Sequence, residues 1–134
     1  MADYREILVA LDCSSVDDRL IEHVSVLAQG LRSRLHLLHV VHSHTLDQER
    51  TLRKSASLRL NRYRERLLSE GITAEVLLRS GEPEEEILGE IREHDYDLLA
   101  MASHGHHLAG RILFGSVSRT LRQSADIPLL IVKS

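Results

Sequence analysis

The chain has 134 residues, 43% of them hydrophobic, and a formal net charge of −3. That is the length of one domain with enough apolar residues for a core, and the near balance of acids and bases argues against a bulk nucleic-acid or anionic-membrane binder. Aromatic residues are only 3% (Tyr4, Tyr63, Tyr96 and Phe114), so no stacking platform for single-stranded bases is visible, and the lone Cys13 has no intrachain disulfide partner, which fits a reducing compartment.

The first residues, Met1 to Glu6, are polar and charged, and the apolar run after them is stopped by Asp12. That run is too short for a signal-peptide core, and none approaches the roughly 18 apolar residues of a membrane span. The expectation is a soluble cytoplasmic protein. Ile7 to Leu11 is continuously apolar, which suggests a strand covered on both faces. Ser14 or Ser15 then caps a helix in which Leu20, Val24, Leu27 and Leu31 recur at helical spacing, with Gly30 near its end. Leu35 to Val41 is the second strand candidate. Thr45 to Glu70 is long and rich in helix formers, with Leu52, Ala56, Leu60, Tyr63 and Leu67 on one face and Gly71 as its stop. Its basic residues, Arg50, Arg53, Lys54, Arg59, Arg62, Arg64 and Arg66, interleave with acids and read as a solvated, ion-paired face.

Ala74 to Leu78 is the third strand. Pro83 to His94 is a helix with Ile87 and Ile91 inward, opened by proline and three glutamates that suit the positive end of the helix dipole. Asp97 to Met101 is the fourth strand, a helix runs from about Ser116 to Ser124, and Pro128 to Val132 is the last strand. Strands alternating with helices predict an α/β fold with a parallel sheet and helices on both faces. No linker, repeat or low-complexity tract divides the chain, so residues 1–134 form one domain.

Open sheets of this kind bind ligands beyond the carboxyl ends of their strands, where strand order reverses. The first strand ends in Asp12-Cys13-Ser14, and the fourth runs into Ala102-Ser103-His104-Gly105, followed by Gly115-Ser116-Val117-Ser118. A glycine-bearing loop leading into a helix start is an arrangement whose N–H groups can hold a phosphate. If the first and fourth strands are neighbours, an acidic acceptor faces that loop across one crevice. A Walker A loop is excluded, because Arg111 and Ile112 follow Gly110 where Lys and Ser/Thr are required. No G-x-G-x-x-G follows the first strand. A receiver domain needs a phosphorylatable Asp after the third strand, where Arg79-Ser80-Gly81 stands.

Gly105, then Gly115-Ser116 after nine residues, preceded by Ser103-His104, resembles the universal stress protein family. So do the opening Ile7-Leu8-Val9-Ala10-Leu11-Asp12, the segment Leu38-His39-Val40-Val41, and the closing Ile127-Pro128-Leu129-Leu130-Ile131-Val132. The resemblance spans essentially the whole chain. Its ATP-binding members carry glycine, two residues, glycine, nine residues, then Gly-Ser/Thr, and here the first glycine is replaced by Ala102.

The resemblance implies a three-layer α/β/α sandwich of the adenine nucleotide alpha hydrolase-like, Rossmann-like type, with a five-stranded parallel sheet in the order 3-2-1-4-5. It implies a homodimer through the last strand, Pro128 to Val132, and ATP, with Mg2+, as ligand. It puts Ala10, Asp12, Val41, Met101, Ala102, His104, Gly105, Gly115, Ser116 and Val117 around the nucleotide. In that scheme Asp12 bonds the ribose or adenine, Val41 offers backbone groups to the adenine edge, and Gly105, Gly115, Ser116 and Val117 surround the phosphates. Asp12 as a helix cap and Gly115-Ser116 as a plain turn remain open alternatives.

Cys13 stands where the family often has glycine and reads as a packed, inert thiol. His39 and His104 fall where the family commonly has histidine without a metal, so no metal site is expected. With no lysine in the loop and no placed general base, the expected role is a stress-response sensor or regulatory module rather than a fast enzyme, with an unknown protein partner. The alternatives are a nucleotide-free interaction module and a slow ATPase or autophosphorylating protein.

Overall fold

The computed structural model describes residues 3–103 and 116–133. In chain order they form β1 (Glu6–Ala10), α1 (Val16–Leu31), β2 (Arg34–Val41), α2 (Leu46–Ser69), β3 (Ala74–Ser80), α3 (Pro83–Glu93), β4 (Leu98–Ser103), α4 (Ser116–Ser124) and β5 (Leu129–Lys133). All strand pairs are parallel, in the order β3-β2-β1-β4-β5. The expected topology is therefore the observed one, and β1 and β4 are direct neighbours.

Continuous apolarity in β1 is explained by cover on both faces. Ile7, Val9 and Leu11 enter a core with α1 and α2, while Leu8 and Ala10 enter a second core with α3 and α4. Opposite faces of each strand thus feed opposite layers.

The helix stops follow local chemistry. α2 begins at Thr45, whose hydroxyl accepts the Gln48 N–H at 3.0 Å. It ends in a left-handed Gly71 (φ +82), with Gly71 N–H bonded to Leu68 O and Ile72 N–H to Leu67 O. Buried Leu67 and Ile72 complete that motif. Gly30 is the penultimate residue of α1, near its end as expected, and the left-handed residue that closes the helix is Arg32 (φ 56). Leu31 and Leu52, placed on apolar stripes by their spacing, are 44% and 38% exposed. Leu31 is the last residue of α1, and Leu52 lies in the second turn of α2.

Two further differences bear on the site. β4 continues through Ala102 and Ser103, which pair with Val132 and Lys133 of β5. Ala102 is therefore strand rather than loop. The basic face of α2 is only partly solvated: Arg53 donates to Ser80 Oγ at 2.8 Å, Arg59 to Ser14 O at 2.8 Å and Arg64 to Ala74 O at 3.1 Å. These arginines flank the buried stripe Ala56, Leu60, Tyr63 and Leu67, and their long stems let the guanidinium groups reach inward.

Candidate functional site

The strand order makes the carboxyl ends of β1 and β4 the place where the sheet reverses direction. Ala10 of β1 pairs with Met101 of β4 on one side and with Leu38 of β2 on the other. Ala10 and Met101 are buried, at 2% and 1% exposure, in the core on the α3 and α4 side of the sheet. Two residues further along each chain stand Asp12 and Ser103, both half-buried. The fold thus brings Ala10, Asp12, Met101 and Ala102 to one crevice mouth. Ser116 and Val117 open α4, which packs against α3 on the other face of the sheet. His104, Gly105 and Gly115 lie outside the described residues.

Ala102 occupies the position where a glycine was expected. Its backbone has an ordinary negative φ, and its methyl group belongs to the core under α1. Nothing in its own conformation requires glycine. Cys13 is the opposite case. It sits at φ 62, in the left-handed region that glycine adopts without penalty. Burial, reinforced by the Asp17 charge, pushes its thiol up to about 12, so the group is held protonated.

The turn from Leu11 to Ser15 is fixed by side chains. Asp12 Oδ1 accepts both the Ser14 N–H at 3.0 Å and the Ser14 hydroxyl at 2.5 Å. Among the described residues no donor reaches Asp12 Oδ2. Asp17, in the first turn of α1 and only 1% exposed, accepts the Asp12 N–H at 3.1 Å and the Cys13 N–H at 2.9 Å. Burial first, and the nearby Asp12 charge second, push Asp17 up to about 7.

From α2, Arg59 Nη2 donates to Ser14 O at 2.8 Å, while its buried Nε lies 3.9 Å from Asp17 Oδ2 and has no hydrogen-bond partner among the described residues. Tyr63 ties the same helix to Asp18 at 2.6 Å. His39 donates from Nδ1 to Leu11 O at 2.8 Å, and burial lowers its pKa, so its ring stays neutral.

Val41 is 1% exposed, and its carbonyl accepts the Gly81 N–H at 3.0 Å. In a parallel ladder the N–H and C=O of one residue point to the same neighbour, so both Val41 groups face β3. The next residue back, Val40, faces the β1 side, where pairing ends at Ala10–Leu38 and Leu11 N–H to Leu38 O. Among the described residues nothing pairs with the Val40 N–H or carbonyl. The free backbone edge therefore belongs to Val40, one residue before the one expected.

Asp17, Arg59 and Val40 were not picked out by motif reading. An aspartate five residues after a strand-end aspartate and two after a serine cap was the available signal for Asp17. Arg59 carried none, because it sat in a run of seven basic residues.

The arrangement supplies one carboxylate oxygen and one free amide edge. Among the described residues no group of three His, Cys, Asp or Glu side chains is placed to hold a metal, and no helix is long and apolar enough to cross a membrane.

The family model described as "Universal stress protein family" matches residues 3–133. Universal stress protein YxiE of Bacillus subtilis is 28% identical over 147 residues, covering 97% of this chain and 99% of that one. Universal stress protein UspA from Lactobacillus plantarum superposes with a TM-score of 0.80 at 19% identity, covering 98% of this chain and 99% of the other. The universal stress protein from Archaeoglobus fulgidus in complex with dAMP superposes with a TM-score of 0.74 at 22% identity, covering 97% and 98%.

Proposed function

The chain belongs to the universal stress protein family, and from that premise we propose that it is a regulatory module that binds an adenine nucleotide, ATP with Mg2+, at the carboxyl ends of β1, β2 and β4. The carrying observation is the pairing of Ala10 with Met101, which sets Asp12 beside the end of β4 at the reversal point of the sheet. The dAMP complex of the Archaeoglobus fulgidus relative supports the same ligand class.

In this reading Asp12 Oδ2 accepts a ribose hydroxyl and the Val40 backbone pairs with the adenine edge. The phosphates meet the α4 start at Ser116 and Val117 together with the preceding sequence segment that contains His104, Gly105 and Gly115. The described residues offer no ready metal cluster, so Mg2+ is carried mainly by phosphate oxygens and water. No described group is placed as a general base toward the phosphates, and the module is read as a sensor, not a fast hydrolase.

Its dimer forms through β5, an edge strand whose Leu129 and Leu130 are half-buried and whose Ile131 is 36% exposed. The proposed setting is the cytoplasm.

Titration calorimetry with ATP, ADP and AMP in the presence of Mg2+ tests the ligand. Saturable binding at or below millimolar nucleotide is expected, and absence of heat with all three overturns the reading. Sedimentation of the wild type and of Ile131→Lys tests the dimer. A wild-type monomer overturns it.

A further inference from the structure

The proposed nucleotide site contains a carboxylate whose job depends on where its turn is held. Asp12 lies past the end of β1, beyond the last ladder bond, Leu11 N–H to Leu38 O. Nothing in the sheet fixes the backbone from Asp12 to Ser14. That backbone also passes through Cys13 in a conformation that non-glycine residues resist by about 1–2 kcal/mol. Left alone, the turn would relax.

Two side chains oppose that relaxation. The Asp17 carboxylate accepts the consecutive N–H groups of Asp12 and Cys13, one on each oxygen. Arg59 reaches from the middle of α2 to the Ser14 carbonyl, which also accepts the Asp17 N–H at 3.1 Å. Its Nε, buried and unbonded 3.9 Å from Asp17, adds charge without a second hydrogen bond. One brace is thus the first turn of α1 and the other is α2.

We propose that Asp17 and Arg59 are positioning residues of the nucleotide crevice: they hold the Asp12–Ser14 turn from beneath so that Asp12 presents its open carboxylate oxygen to the ribose. The role rests on the nucleotide-binding reading for its ligand, but the holding of the turn does not. The partner arginines of α2 differ. Arg64 bonds Ala74 at the amino end of β3, away from the crevice, and Arg53 bonds Ser80 at its carboxyl end rather than the Asp12 turn. Only Arg59 links α2 to the Asp12 turn among the described residues.

The chain's single cysteine lies in the middle of the held turn, so its alkylation by iodoacetamide reports the turn without any nucleotide. In wild type the half-buried, protonated thiol reacts slowly. Arg59→Met keeps the apolar stem and removes the donor. Asp17→Asn leaves one of two N–H groups facing a donor.

Both substitutions are expected to speed alkylation about tenfold and to weaken ATP binding about tenfold, the effect of one unsatisfied buried hydrogen-bonding group. Arg59→Lys, which restores charge and one donor, recovers most of both effects, whereas a merely packed side chain would be replaced as well by Met as by Lys. Arg64→Met, at the far end of β3, moves neither readout.

Unchanged alkylation in Arg59→Met and Asp17→Asn overturns the proposal, as does equal behaviour of the Met and Lys variants. If Asp17→Asn fails to fold, the Arg59 pair, on a half-exposed side chain, decides alone. If the wild type binds no adenine nucleotide, the ligand reading fails, and the alkylation rates still decide whether the turn is held as argued.

Discussion

On the α3 face of the sheet, Arg79 donates from Nε to Glu86 at 2.8 Å and from Nη1 to Glu90 at 2.9 Å and Glu93 at 2.8 Å. On the opposite face, among the described residues, Arg59 makes one hydrogen bond and keeps a buried Nε without a partner. The difference extends to their neighbours. Glu90, 5% exposed, also accepts the Tyr96 hydroxyl at 2.5 Å, and His36 presents one ring nitrogen to Glu6 at 2.7 Å and the other to Glu75. Around Arg59 stand an Asp17 pushed up by burial and a left-handed Cys13, and at the end of β2 the Val40 backbone edge has no partner among the described residues. A closed network of this kind braces a fold, because every buried polar group is answered. An incompletely answered one at a strand reversal is where a ligand has something to complete.

The largest expected effect breaks the closed side. Glu90→Ala removes a carboxylate that serves Arg79 and Tyr96 together and leaves the buried Tyr96 hydroxyl unanswered. A loss of about 3 kcal/mol is expected, with nucleotide affinity unchanged. Urea denaturation and calorimetry on the same variant check both halves. A fall in affinity comparable to the fall in stability would erase the distinction between the two regions.

The open side is sharpened next by pH. Asp17 ionises ordinarily at 3.8 and is pushed up to about 7 in the fold, so the folded chain binds one more proton between those values. Its stabilising contribution is complete below about pH 4 and is lost as pH rises through about 7. The groups facing it are Asp12 and Cys13 in the turn and Arg59 on α2, with His39 beyond on β2. His39, held neutral by burial, acts in the reverse sense: its contribution is present above 6.5 and declines on acidification through its lowered value. The comparison of wild type with Asp17→Asn isolates the Asp17 part. A difference of about 2 kcal/mol in pH dependence between pH 5 and pH 8 is expected by linkage, read from urea midpoints at the two values.

Asp12→Ala should then show the opposite pattern to Glu90→Ala. It removes the ribose acceptor and two local bonds to Ser14 but opens no buried cavity. Nucleotide affinity is expected to fall about tenfold, while stability changes by no more than about 1 kcal/mol. The pair of variants forms a double dissociation in one calorimeter and one denaturation assay.

Much of the fold is legible in the chain because it rests on repeated signals. The continuous apolarity of Ile7 to Leu11 suggests a strand covered twice, as β1 is, and Gly71 stops α2 as its position suggested. The ends of elements were less legible, since they depend on partners distant in sequence. β4 runs on to Ser103 because β5 reaches Lys133 beside it, and no local property of Ala102 announces that. The site divides in the same way. Asp12 and the end of β4 were readable from strand-end position. Val40 was not, because strand composition does not reveal which residue's amide faces an ended neighbour. Arg59 was hidden by composition: seven basic residues on one helix look alike until the packing angle of α2 turns one of them toward Ser14.

The smallest effect separates strain at the site from strain elsewhere. Cys13 and Arg32 are the two non-glycine residues with positive φ among those described, at 62 and 56. Arg32 follows α1 at the far end of the molecule from the crevice, is exposed, and its left-handed backbone serves only to close the helix, with its N–H and that of Ser33 bonded to Ala28 O. Glycine there relieves the Cβ penalty and loses no packing, but it raises the entropy of the unfolded chain, so a net gain of about 0.5 kcal/mol is expected. Cys13→Gly relieves the same penalty yet gives up a side chain packed against the α1 core, and its gain should be smaller or absent. Thermal denaturation of the two variants side by side measures the difference. A larger gain at Cys13 than at Arg32 would mean that the braces from Asp17 and Arg59 hold the turn against more strain than its φ alone implies.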